Sequence, residues 1–117
     1  MSEETNLGRI EISPKAIASL AVRAVLECYG VVGMAPKSAY RGWGYVLSRD
    51  HYRRGVDVHI IDGRIIIDLY VVIEFGLRIS EVAHNIMSTV KFSMEKALGV
   101  PVSEVNVHVQ GLRVSGE

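Results

Sequence analysis

The sequence predicts an α+β two-layer sandwich, a small mixed β-sheet with two helices on one face, in the order β-α-β-β-α-β. Three observations predict it. An Asp62-Gly63 bend joins two runs that alternate with period two, which is the pattern of a β-hairpin. A segment with helical periodicity stands on each side of that hairpin. The chain then closes on the alternating run Val105-Asn106-Val107-His108-Val109-Gln110.

At 117 residues, with 49% hydrophobic and 22% charged residues, the composition is that of one globular domain. The expected layout is a frayed polar tail over 1–6, one domain over 7–114 containing a basic, aromatic loop at 33–55, and a short tail at 115–117. Gly8-Arg9-Ile10-Glu11-Ile12 alternates and reads as a short strand with one buried face. Ser13 suits a helix N-cap and Pro14 the first helical position, where its missing N–H costs nothing. Ile17, Leu20, Ala21, Ala24, Val25 and Cys28 then form an apolar stripe, flanked by Ala18, Val22, Leu26 and Tyr29. Gly30 is placed to end that helix. The loop follows, with Tyr45 to Arg54 as a candidate short helix.

Counting outward from the Asp62-Gly63 bend sets Ile61 opposite Arg64, Ile60 opposite Ile65, Val58 opposite Ile67 and Val56 opposite Leu69. The apolar face then continues through Val71, Ile73 and Phe75. The other face carries Asp57, His59, Ile66, Asp68, Tyr70, Val72 and Glu74. After Gly76, Ser80 reads as the N-cap of an amphipathic helix whose apolar positions run from Val82 to Leu98. Gly99 and Pro101 end it, and the last strand extends past Gly111.

Charge excludes little in bulk, since 13 basic and 13 acidic residues cancel. Its distribution is uneven, because residues 33–55 hold five basic residues and one acid, leaving the remainder with 8 basic and 12 acidic. The single Cys28 sits in a helical pattern and reads as a buried, inert thiol. The acidic start MSEETN lacks the hydrophobic region of a secretory signal, and no apolar run is long enough to span a bilayer.

Motifs for chemistry are absent. Gly30-Val31-Val32-Gly33 follows a helix where a phosphate loop follows a strand, and Ser13 and Ser80 are explained as caps. No catalytic residue, cofactor site or metal site is assigned. His59 and His108 share the mixed face with Asp57 and Asp68, a set that resembles an acid–base or metal cluster, but polar residues on a solvated sheet face are routine. Asp57 and Asp68 are expected as cross-strand neighbours, so something must neutralise them.

The basic, aromatic loop is the one feature that points to binding. Arg41, Trp43, Tyr45, Arg49, Tyr52, Arg53 and Arg54 are the candidate partner-binding residues, since Tyr, Trp and Arg are enriched where proteins meet. The same mixture suits an anionic membrane surface or single-stranded RNA, which makes an RNA-binding module the alternative reading. The plain alternative is that the aromatics pack on the core and the charges are solvated.

Several of these segments together resemble the alkaline-shock-protein family of bacterial envelope stress response proteins. The segments are Gly8-Arg9-Ile10-Glu11-Ile12-Ser13, the alanine-rich helix ending at Gly30-Val31-Val32-Gly33, Gly55-Val56, Asp68-Leu69-Tyr70-Val71-Val72, and the long second helix followed by Val105 to Val109. The resemblance covers most of the chain and its specificity lies in order and spacing. It implies a cytoplasmic, non-catalytic protein of Gram-positive bacteria, linked to cell-envelope homeostasis, that self-assembles. It further implies a membrane-anchored partner at the inner membrane face, or a partner in fatty-acid metabolism. It carries over no catalytic residues, and the loop from Tyr40 to Arg54 is richer in aromatics and arginine than the family pattern.

Overall fold

In a computed structural model, which describes residues 2–37, 47 and 49–114, the elements run in chain order as follows. Strands β1 (Ser2–Thr5) and β2 (Gly8–Glu11) precede helix α1 (Pro14–Leu26) and strand β3 (Val31–Met34). A 3-10 helix (Arg49–Gly55) leads into β4 (Val56–Ile61) and β5 (Arg64–Glu74), and α2 (Ile79–Leu98) leads to β6 (Glu104–Arg113). The α+β class stands, with two strands more than the sequence suggested.

The sheet is built on β5. One edge of β5 pairs antiparallel with β4 over its first half and with β3 over its second, and the other edge pairs parallel with β6. The β4–β5 register is the one the turn dictates, from Ile61↔Arg64 to Val56↔Leu69. Asp62 and Gly63 take φ of 50° and 77°, the paired positive angles of a tight hairpin turn.

Ile65, Ile67, Leu69, Val71 and Ile73 point to the helices and are all fully buried. Each such side chain contributes about 1.5–3 kcal/mol of hydrophobic stabilisation. Ile17, Ala21 and Val25 of α1 and Val82, Ile86, Val90 and Met94 of α2 cover them. Ser13 caps α1 through its Oγ, which accepts the Ala16 N–H at 3.1 Å. Gly99, at φ 75°, ends α2, and Glu95 Oε2 ties that end to the approach of β6 by accepting the Val102 N–H at 2.9 Å.

Several expectations are corrected. The residues read as a frayed tail form β1, paired with β2 from Ser2↔Glu11 to Thr5↔Gly8. The β2 strand has no buried face: all four of its residues are exposed, and only Ile12 beyond it packs on the core. Phe75 leaves the apolar face and is 66% exposed, because β5 stops at Glu74 and the chain turns away at Gly76. Helix α2 begins at Ile79 with Arg78 in the cap position, and Ser80 lies in its first turn. There Arg78 pairs with Glu81 at 3.1 Å, a carboxylate well placed against the helix dipole. The start of the expected loop is strand β3, which the glycines and Pro36 had disguised. Of the candidate helix from Tyr45 to Arg54, the structure shows the 3-10 helix.

Candidate functional site

The first site lies at the free side of β4. Its floor is Pro14 and Ala18 of α1 with Val56 and Val58 of β4, and its rim carries Lys15, His51, Arg53 and Arg54. The cleft holds about 460 Å³. Among the described residues, β4 pairs only with β5 and no carboxylate pairs with Lys15, Arg53 or Arg54. The 3-10 helix supplies His51, Arg53 and Arg54 to this rim. It ends at Gly55, where a side chain would meet the Ala35 carbonyl oxygen at 2.8 Å, so glycine lets the chain enter β4 against β3.

The candidate binding residues divide here. Arg53 and Arg54 are exposed and come together on the rim, whereas Tyr52 is half-buried and packs on the core. Arg49 opens the 3-10 helix, and Arg41, Trp43 and Tyr45 lie outside the described residues. Lys15 and His51 were missed by the sequence reading. Lys15 belongs to a helix start whose residues were assigned only to capping, and nothing in the spacing of His51 links it to the helix.

The second site is the outer face of the sheet. Asp57 and Asp68 are cross-strand neighbours as expected, and each has its own set of partners. Lys37 Nζ stands 3.3 Å from Asp57 Oδ2, an oxygen shielded from water. Asp68 Oδ1 accepts from Asn106 Nδ2 at 3.1 Å and meets His108 Nε2 at 3.2 Å, while its Oδ2 meets His59 Nε2 at 3.3 Å. Burial pushes the Asp68 carboxyl up, but the hydrogen bonds from His108 and Asn106 and the charges of His108 and His59 outweigh it. The carboxyl is held below its usual value.

Tyr70 and Val72, on this same face, are buried. The chain leaving β3 covers them: Lys37 reaches Asp57 on one side of β5, and its carbonyl accepts from Gln110 Nε2 at 3.1 Å on the other. Gln110 is the extra residue of a β-bulge between Val71↔Val109 and Val72↔Gly111. Tyr70 also stacks on His108 with ring centroids 4.6 Å apart, and burial first of all raises its hydroxyl pKa. Asn106, His108 and Gln110 were legible as one face from their period-two spacing; the covering segment was not.

Chemically, the outer face holds carboxylates engaged with Lys37, Asn106 and two histidines, and the cleft holds cations over an apolar floor. Among the described residues no group of three or more His, Cys, Asp or Glu is arranged to hold a metal ion. No described helix is long and apolar enough to cross a membrane. Cys28 is buried and hydrogen-bonds the Ala24 carbonyl at 3.4 Å; burial, the largest cause, raises its thiol pKa.

Comparison with known proteins adds the lineage. The sequence is 41% identical over 112 residues to the uncharacterized protein YloU of Bacillus subtilis (strain 168), covering 95% of this chain and 93% of that one. It is 42% identical over 114 residues to an uncharacterized protein of Streptococcus pyogenes serotype M6, covering 97% and 94%. A second Bacillus subtilis protein, the uncharacterized YqhY, is 31% identical over 111 residues, covering 95% and 82%. No solved structure matches. The family pattern of alkaline shock protein 23, described as having a cell envelope-related function, matches residues 2–114. The chain belongs to the alkaline shock protein 23 family.

Proposed function

We propose that this chain is a non-enzymatic scaffold or regulatory domain of the cell envelope, which self-associates and binds a protein partner at the cytoplasmic face of the membrane. The observation that carries this reading is the hairpin formed by β1 and β2. Its residues Glu4 to Glu11 are all exposed, with Leu7 fully so. A two-stranded hairpin alone is marginal in water and gains stability from further strands or a packed surface, which a second chain can supply. The basic cleft adds a second binding surface, and the titratable groups of the outer face are engaged with one another. The family's envelope-related description supplies the setting.

Light scattering coupled to size exclusion over a concentration series tests the reading. The expected result is a mass that rises above the 12.9 kDa of one chain as concentration increases. A strict monomer at the highest concentration overturns self-association.

A further inference from the structure

The hairpin arm and the basic cleft differ in ways that fit each other. The arm, residues 2–11, holds three glutamates and one arginine, a formal charge of −2 (one minus three). The cleft rim holds Lys15, Arg53 and Arg54 beside His51, and the one carboxylate in its lining, Asp57, is matched by Lys37. The arm ends in an exposed apolar tip, and the cleft has an apolar floor.

That tip has a fixed shape. Thr5 Oγ1 accepts the Leu7 N–H at 3.2 Å and donates to the Gly8 carbonyl at 3.3 Å, so the turn presents Leu7 outward. The cavity of about 460 Å³ admits a leucine side chain with its flanking backbone. Alongside the cleft, the edge of β4 that faces away from β5 pairs with no described strand and offers backbone groups to an incoming one.

In the structure the arm does not occupy its own cleft, whose lining includes none of the arm's described residues. Ile12 packs on the core and Ser13 is held as the cap of α1, so both residues that join arm to body are fixed. The molecule is 53 Å long and 24 × 23 Å across. Its radius of gyration is 14.9 Å, where a compact chain of this length has about 13 Å.

We infer that the hairpin arm of one copy docks, Leu7 first, into the basic cleft of a second copy, so that copies join head to tail. This rests on the self-association proposed above and names its interface. Donor and acceptor surfaces are different patches, so the contact is heterologous. It builds rings or open filaments, where a self-complementary patch would stop at a dimer.

Two variants of the full chain test it, Leu7→Asp in the arm and the double change Arg53→Glu with Arg54→Glu in the rim. All three side chains are exposed, and circular dichroism checks that both proteins fold. Each variant alone is expected to remain monomeric in light scattering at concentrations where the wild type assembles. Mixed in equal amounts, they retain one intact arm and one intact cleft between them. The mixture is then expected to give a species of twice the chain mass and nothing larger. A wild type that assembles while both variants assemble equally well overturns the head-to-tail interface and leaves self-association standing. Two monomeric variants that fail to complement each other overturn it as well. A wild type that stays monomeric throughout overturns both.

Discussion

The molecule contains two β-hairpins with opposite surroundings. In the hairpin of β4 and β5, the inward side chains of β5 are fully buried under two helices, and β5 is paired on both edges. In the hairpin of β1 and β2, residues Glu4 to Glu11 are all exposed. Both close through two-residue turns. The difference teaches that turn chemistry sets a hairpin's register, while burial decides whether it is part of the body or a limb offered to something else.

The largest effect expected from this contrast is on stability. Leu69→Ala in β5 removes a fully buried side chain from a packed face and should cost about 2–5 kcal/mol in denaturant unfolding. Ile10→Ala in β2, already 54% exposed, should stay within about 0.5 kcal/mol. Equal losses at the two positions would break the comparison.

Gly55→Ala sharpens it at the entry to the buried hairpin. The new methyl group would stand 2.8 Å from the Ala35 backbone oxygen and 3.1 Å from Met34 Cβ, neither of which can swing aside freely. A loss of about 1–3 kcal/mol is expected. At Gly8, in the arm, nothing lies within 4 Å, so Gly8→Ala meets only the backbone strain of its φ of 148°.

The outer face of the same buried hairpin carries a pH signature. The folded pKa of Asp68 lies below its unfolded value, so the unfolded chain binds more protons as the carboxyl titrates. The stabilisation is therefore complete above the unfolded pKa near ~3.9 and is lost as pH falls through the folded value. Asp68→Asn should lower stability at neutral pH by about 1–2 kcal/mol and flatten the acid limb of stability against pH. An unchanged acid limb would mean that the His59–Asp68–His108 contacts contribute nothing.

The smallest effect is kinetic. Cys28, buried with a raised thiol pKa, should react with a thiol reagent only as fast as the body opens. Leu69→Ala should speed that reaction and Ile10→Ala should leave it unchanged.

The sequence disclosed the buried hairpin almost completely, because the Asp62-Gly63 turn and the alternation around it constrain the same register. It disclosed the arm poorly. Arg9-Ile10-Glu11-Ile12 alternates in the way a half-buried strand does, and only tertiary packing distinguishes Ile12, which is anchored, from Ile10, which is not. Strand β3 was hidden because its register shifts between Val31 and Gly33, a bulge that a loop composition mimics. The cleft was half legible. Arg53 and Arg54 stand out in any charge count, but Lys15 joins them only because α1 packs beside β4. Burial of Tyr70 depended on where residues 35–37 cross the sheet, a placement that no local pattern encodes.

The contrast between body and limb is tested most directly by hydrogen exchange followed residue by residue across a concentration series. Amides of β5 should be strongly protected at every concentration. Those of β2 should exchange nearly freely in dilute monomer and become protected as the protein assembles. Protection of β2 in the dilute monomer, or free exchange there in the assembled protein, would contradict the account.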